Sequence, residues 1–329
     1  MSIAEEKFKH GTTYLLPFEK MHGLGNDFVI VNVSHLPENA NEAYEKDLAT
    51  RICDRNLGVG ADGLIIIDQV KESDEAVRSW RFYNSDGSIA EMCGNGIRCA
   101  AKYIYEHGLS GEDSIFKIET LAGDIGIELL ENEMVKVNMG APKELIANQE
   151  LTLAENNFHF PYTFVSMGNP HAVSFWDQDL DTVKNYGAQI EVHKNFPNKT
   201  NVEFARVVAT SKNLAEKLPD ARLARREGAE LTSVNERVKD ECNAADGTLQ
   251  PGSKIQLVVW ERSCGFTQAC GTGACATAVS AITKGLAKKD EDIEVILPGG
   301  SLIIRWDSVT DEIFMTGKAE MVFVGYYNA

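Results

Sequence analysis

The chain has 329 residues, enough for two domains of ordinary size, and its 43% apolar and 25% charged content is that of a globular protein rather than a disordered one. A formal charge of -17, with no Lys/Arg cluster to offset it, repels phosphate backbones and anionic membrane surfaces, so the expected partners include no nucleic acid and no membrane. The opening "MSIAEEKFKHGTTYLLPFEK" lacks the apolar run of a signal peptide or membrane helix.

Seven cysteines (53, 93, 99, 242, 264, 270 and 275) are an odd number, few for the length, and include no Cys-x-x-Cys pair. They suit a reducing compartment better than a disulfide framework. The expectation is a cytoplasmic protein without structural zinc or any other metal.

In chain order, "DFVIVNV" (27–33), "GLIIIDQV" (63–70) and "SWRFYNSDG" (79–87) are predicted strands, the last running into an Asn-Ser-Asp-Gly turn. A helix is predicted from Cys93 through about Tyr105, closed by His107 and Gly108 as a glycine C-cap. Residues 115–140 read as short strands in an antiparallel meander. "YTFVSMGNPHAVSFW" (162–176), "NVEFARVVA" (201–209) and "KIQLVVWERS" (254–263) read as three further strands. Residues 210–250 carry mixed charges and few aromatics, and are expected to form a partly helical surface insertion between two strands. A second helix follows Cys270 and stops near Lys284 and Gly285. "IEVILPGGSLIIRW" (293–306) is a hairpin across a Pro-Gly-Gly turn, and closing strands run through "GKAEMVFVGYY".

Two stretches about half the chain apart spell nearly the same thing. "AEMCGNGIRCAAKY" (90–103) and "TQACGTGACATAVS" (267–280) each place Cys-Gly-x-Gly at the head of a small-residue helix. Strands precede each motif and a meander follows it, as an internal duplication would give. The expected fold class is α+β: two pseudo-symmetric domains, each a largely antiparallel sheet or barrel wrapped around a central helix. The first half, residues 1–140 plus 316–329, carries Cys93; the second, 141–315, carries Cys270 and the insertion.

A thiol becomes a useful base or nucleophile only when it ionises, and a helix N-terminus favours the anion. Glycines after the cysteine let backbone amides approach a ligand, which also suits a bound carboxylate. Small residues also pack well at strand-to-helix junctions, and that plain reading is preferred for Cys99 and Cys275 inside the helices and for Cys53, Cys242 and Cys264. Duplication sets Cys93 and Cys270 apart. If the halves face each other, the two thiols flank one carbon, as an inversion requires: one removes the α-hydrogen and the other returns a proton. The usual electron sink for that step is pyridoxal phosphate, but no phosphate loop or basic cluster marks a site for it, so no cofactor is expected.

"FEKMHGLGNDFVIVN", "GVGADGL", "FYNSDGSIAEMCGNGIRCAAKY", "SMGNPHAV", "NVEF" and "WERSCGFTQACGTGACA" resemble, in order, the motifs of the diaminopimelate epimerase family. The resemblance implies two pseudo-symmetric α/β domains closing over substrate, and a cofactor-independent isomerase acting on LL- and meso-2,6-diaminopimelate in lysine and peptidoglycan precursor biosynthesis. It implies Cys93 and Cys270 as the acid/base pair, with His171 and Glu261 managing protons beside them. It further implies substrate binding by Asn26, Asn84, Asn169 and Asn201, and by the amides of Gly94, Asn95, Gly271 and Thr272. Glu261 joins this set, and Arg262 would hold the distal carboxylate as a charge-assisted fork. The chain departs from the family pattern at Cys264 and Phe266, just before the second motif. The expected partner is thus a small molecule, and a homodimer is left open.

The nearest alternative is a proline or hydroxyproline racemase of the same fold. Those enzymes usually show Cys-Gly-His at the first motif, where this chain has Cys-Gly-Asn at 93–95. Their substrates have one carboxylate, which would leave Arg262 without a distal partner. A phenazine-biosynthesis isomerase would lack the paired cysteines. From another class altogether, a thiol redox or binding protein would place its cysteines close in sequence.

Overall fold

Runs such as "FVIV" and "LIII" are apolar at every position rather than at alternate ones, the pattern of strands covered on both faces. The computed structural model describes residues 9–10, 13–70, 75–131, 133–153, 158–175, 180–208 and 253–329. The insertion expected at 210–250 lies outside the described residues. The chain divides into two units, one running to Val137 and regaining Gly317–Ala329, the other Asn138–Thr316.

In the first unit a short β1 (Lys9–His10) leads to β2 (Thr13–Gly23), β3 (Asn26–Asn32), α1 (Glu42–Cys53), β4 (Gly63–Asp68) and β5 (Ala76–Asn84). Then come β6 (Ile89–Ala90), α2 (Gly94–Glu106), β7 (Ile115–Thr120), β8 (Gly123–Leu129) and β9 (Met134–Asn138). The last strand of the chain, β19 (Glu320–Asn328), returns to pair antiparallel with β2. Strands β2 and β3 are antiparallel, β3 and β4 parallel, β4 and β5 antiparallel, β5 and β7 parallel, and β7, β8 and β9 antiparallel. Each parallel pair needs a crossover, and α1 and α2 supply them.

The second unit repeats this order. It contains β10 (Glu144–Leu153), β11 (Phe158–Ser166), β12 (Pro170–Phe175), α3 (Leu180–Glu191), β13 (Asn201–Val208) and β14 (Lys254–Glu261). It continues with β15 (Gly265–Phe266), α4 (Gly271–Thr283), β16 (Ile293–Leu297), β17 (Gly300–Trp306) and β18 (Ile313–Lys318). The parallel pairs are again the two joined by helices, β12 with β13 and β14 with β16. The neighbours β10–β11, β11–β12, β13–β14, β16–β17 and β17–β18 are antiparallel. The fold is therefore α+β, built twice.

In each unit a helix packs against either face of the central strands. On one face α1 packs Leu48, Ala49 and Ile52 against Val29, Val31, Leu64 and Ile66. Alternation along a strand turns Phe28, Ile30, Ile65 and Ile67 the other way, toward α2. Helix α2 is buried from Gly94 through Ile104, as a helix enclosed by strands must be. In the second unit Val183 and Ile190 of α3 pack against Phe160, Ala172, Val202 and Phe204, and α4 is the enclosed helix. Among the described residues no helix is long and apolar enough to cross a membrane.

Two features differ from the sequence reading. Helices α1 and α3 were not expected: "EAYEKDLATRIC" shows only a narrow apolar edge among five charged residues, and "LDTVKNYGAQIE" carries a central glycine and several weak helix formers. Gly187 is there because α3 runs so close to β14 that a Cβ would lie 2.7 Å from the Trp260 side chain. The segment 162–175 belongs to two strands rather than one, folded back at Met167, Gly168 and Asn169 with Gly168 at φ 104°.

Both enclosed helices end as predicted, with a glycine in the left-handed region: Gly108 at φ 64° and Gly285 at φ 73°. A Cβ at either position would meet nothing within 4 Å, so only the backbone opposes it. Gly108→Ala and Gly285→Ala should each cost about 1 kcal/mol. The check is a lowered denaturation midpoint at unchanged slope.

Candidate active site

In the first unit a two-residue turn, Leu24 at φ 56° and Gly25 at φ 84°, closes the β2–β3 hairpin and puts Asn26 at the head of β3. Asn26 donates its Nδ2 to Asp62 Oδ2 at 2.6 Å, which fixes the other end of the amide. Its Oδ1 then accepts from Asn95 Nδ2 at 3.1 Å and lies 3.8 Å from Cys93 Sγ. Asp62 is anchored in turn by Arg55, which also grips Asp27, and Lys20 pairs with Asp27 at 2.6 Å.

Cys93 is the N-cap of α2, with φ -140° and ψ 117°, and its sulfur accepts from the Gly96 amide at 3.5 Å. First-turn amides have no partner within the helix, so this end attracts negative charge. Arg98 is fully buried under that turn. It donates to Gly94 O and to Asn95 Oδ1, both at 2.9 Å, and so locks the Asn95 side chain in place. Asn84, the last residue of β5, donates to Ser88 Oγ at 2.9 Å across its own turn.

The second unit builds the same arrangement with different groups. The β11–β12 turn spells Ser-Met-Gly-Asn where the β2–β3 turn spells Gly-Leu-Gly-Asn, and it delivers Asn169 as its counterpart delivers Asn26. Asn169 donates to Thr272 Oγ1 at 3.2 Å, as Asn95 and Asn26 bond in the first unit. Cys270 is the N-cap of α4, at φ -127° and ψ 109°, with its sulfur 3.6 Å from Thr272 Oγ1. Burial pushes its thiol well up, and the carboxylates of Glu261 and Glu203 push it further.

His171 is wholly buried on β12, with Nδ1 2.6 Å from Glu203 Oε1 and Nε2 3.0 Å from Asn169 Oδ1. Glu261, at the end of β14, accepts from the Thr267 hydroxyl at 2.6 Å. Asn201 donates to Pro170 O and accepts from the Arg262 amide at 2.9 Å. The Arg262 guanidinium is exposed and donates to Asn198 O at 3.4 Å. Gly271 and Thr272 form the first turn of α4, as Gly94 and Asn95 do in α2.

Of the residues expected from the sequence, Asn26, Cys93, Gly94 and Asn95 come together in one unit, with Asn84 in the adjoining turn. Asn169, His171, Glu261, Cys270, Gly271 and Thr272 come together in the other, flanked by Asn201 and Arg262. Sequence reasoning missed Asp62, Arg98 and Glu203. Each had a signal: an arginine inside a small-residue helix, and acidic residues inside or beside runs that read as buried strand.

A sequence profile described as diaminopimelate epimerase matches residues 18–145 and 209–322. The chain belongs to the diaminopimelate epimerase family. It is 40% identical over 324 residues to a protein of that name from Carboxydothermus hydrogenoformans, covering 95% of this chain and 99% of the relative. To its namesake from Heliobacterium modesticaldum it is 39% identical over 328 residues, covering 94% and 99%. The fold alone is shared more widely. A hydroxyproline epimerase from Agrobacterium vitis superposes with TM-score 0.62 at 10% identity, covering 95% of this chain and 92% of that one. A phenazine biosynthesis protein from Bacillus anthracis gives 0.60 at 16%, covering 95% and 97%.

The acidic support under Asn26 can be tested by pH. Burial alone would raise the Asp27 carboxyl, but hydrogen bonds from Arg55 and Lys20 outweigh it and hold it down from 3.8 to about 2. A depressed folded-state value contributes stability that is complete above the unfolded value and lost as pH falls through the folded one. Stability should therefore drain between about pH 4 and about pH 2. Asp27→Asn should remove about 2 kcal/mol at neutral pH and flatten that part of the acid-unfolding curve. Under α4, a Cβ on Gly273 would lie 2.9 Å from Glu203 Oε1 and 3.2 Å from Cys270 Sγ. Gly273→Ala should thus cut turnover at least about tenfold by displacing the sulfur, read by steady-state kinetics beside a melting curve.

Proposed function

We propose that this protein is a cofactor-independent epimerase that interconverts LL- and meso-2,6-diaminopimelate, with Cys93 and Cys270 as its two acid/base residues. One observation carries the reading: a cysteine caps an enclosed helix at the corresponding point of both repeats, in a chain of the diaminopimelate epimerase family. Inversion needs a proton removed from one face of the α-carbon and another delivered to the opposite face. A thiolate serves as the base and a thiol as the acid, and the reverse reaction exchanges their roles.

In this reading the first-turn amides of α2 and α4, at Gly94, Asn95, Gly271 and Thr272, receive the α-carboxylate and stabilise the charge that develops as the hydrogen leaves. His171 and Glu261 govern the proton at Cys270. Asn26, Asn84, Asn169 and Asn201 orient the ligand, and the exposed Arg262 guanidinium takes the distal carboxylate as a fork. That distal contact separates a seven-carbon diacid from proline. The thiols require a reducing compartment, which places the enzyme in the cytoplasm. Neither nucleic acid nor membrane has a part in this reading, and a homodimer is compatible with it.

LL-diaminopimelate incubated with reduced protein in heavy water should gain deuterium at one α-carbon and yield the meso form. Proline in the same buffer should gain none. The opposite result, exchange into proline alone, would replace this reading with the racemase. Cys93→Ala and Cys270→Ala should each lower the epimerisation rate by at least about a hundredfold while circular dichroism stays that of the parent. Full activity in either variant would remove the two-base assignment.

A further inference from the structure

The two repeats supply an internal control. The parallel pairs β3–β4 and β12–β13 begin at matched registers, Phe28 opposite Gly63 and His171 opposite Asn201. Phe28 therefore corresponds to His171, and Ile65, two residues into β4, corresponds to Glu203. The helices agree. A Cβ on Gly96 of α2 would meet Ile65 Cδ1 at 3.3 Å, and one on Gly273 of α4 would meet Glu203 Oε1 at 2.9 Å. At one and the same place the first unit buries a phenylalanine and an isoleucine, and the second buries an imidazole and a carboxylate.

The fold does not need the polar pair, since the first unit does without it. Burying a carboxylate is costly, and here only half the cost is offset: Oε1 bonds to His171, while Oε2 is buried with no hydrogen-bond partner. A pair kept against that cost, directly behind a cysteine that caps a helix, calls for a chemical reason.

We propose that Glu203 is a positioning residue for proton transfer at Cys270: it fixes the His171 ring through Nδ1, and the ring in turn holds Asn169, which bonds Thr272 beside the sulfur. The ionisable groups facing this spot are His171 on β12, Glu203 on β13 and Glu261 on β14. The register that pairs Ile65 with Glu203 also pairs Asn84 with Glu261. Carboxylates thus stand behind the second cysteine at places where the first unit has an amide and an alkyl chain. Burial holds the Glu203 carboxyl up, against the pull of His171. The two cysteines thus sit in front of unlike groups.

The inference rests on the epimerase reading, and its test separates the two. Rates of epimerisation against pH are measured for the parent, Glu203→Gln and Glu203→Asp. Removing the carboxyl takes away one of the groups that push the Cys270 thiol up, so the alkaline limb for Glu203→Gln should move to lower pH, with kcat falling more than KM, and Glu203→Asp should restore part of both. A Glu203→Gln profile superimposable on the parent's overturns the proposal. A second measurement needs no turnover: nitrogen-15 histidine spectra of the parent, with His171 assigned by comparison with His171→Asn, should show a downfield, hydrogen-bonded Nδ1 proton. Its absence overturns the proposal even if Glu203→Gln fails to fold, whereas a parent without exchange activity that shows this proton sinks the epimerase reading alone. Finally, His171→Phe combined with Glu203→Ile copies the first unit and should melt no lower than the parent. A much lower melting temperature marks the pair as structural and overturns the proposal.

Discussion

A helix enclosed by strands begins with backbone N–H groups that no residue of the helix can satisfy and no bulk water can reach freely. Both α2 and α4 begin in that condition, and both begin with a cysteine. The sulfur is the atom nearest the positive end of the dipole, and the small residues behind it keep the amides open to a ligand. The same constraint explains the glycines at positions 96 and 273. A side chain at 273 would collide with Glu203 and crowd the sulfur, and one at 96 would press on Ile65 and Trp80. The site is a consequence of enclosing a helix N-terminus among strands and setting polar side chains about it.

The duplication is topological before it is chemical. Strand order, the places where pairs turn parallel, the enclosed helix, and the covering helix on the opposite face all recur. On that common frame the two units carry different electrostatics. The first surrounds Asn26 with a salt-bridged cluster of Asp62, Arg55, Asp27 and Lys20, and props Asn95 on the buried Arg98. The second places His171, Glu203 and Glu261 about Cys270. The same geometry thus carries unlike charge in the two repeats.

Support residues, rather than the cysteines, decide how firmly the geometry is held. Asn26 is rigid because Asp62 binds one end of its amide and Asn95 the other. Asn201 is fixed through Pro170 and the Arg262 amide. None of these links is local in sequence. Each joins a strand end to a helix start or to a neighbouring turn, so the precision of the site is inherited from the register of the sheet.

Some of this was written in the chain itself. The paired Cys-Gly-x-Gly motifs, their helices, the C-terminal glycines and the meanders follow from local rules: small residues at a close approach, left-handed glycine at a helix end, and alternation or unbroken apolar runs in strands. The family resemblance rests on the same motifs. Other features were decided only by tertiary structure. Helix α3 has weak intrinsic propensity, whereas α1 is rich in good helix formers; both are held in place because their apolar edges cover a sheet face that would otherwise meet water. The fold-back at Gly168 depends on pairing between β11 and β12. Glu203 reads in the sequence as one polar residue in a strand. Only the parallel register that sets it beside His171, and the helix that seals it in, make it a fully buried carboxyl bonded to an imidazole. Local sequence specifies conformations whose energy is local, whereas burial and the fields between distant residues exist only once the chain has closed on itself.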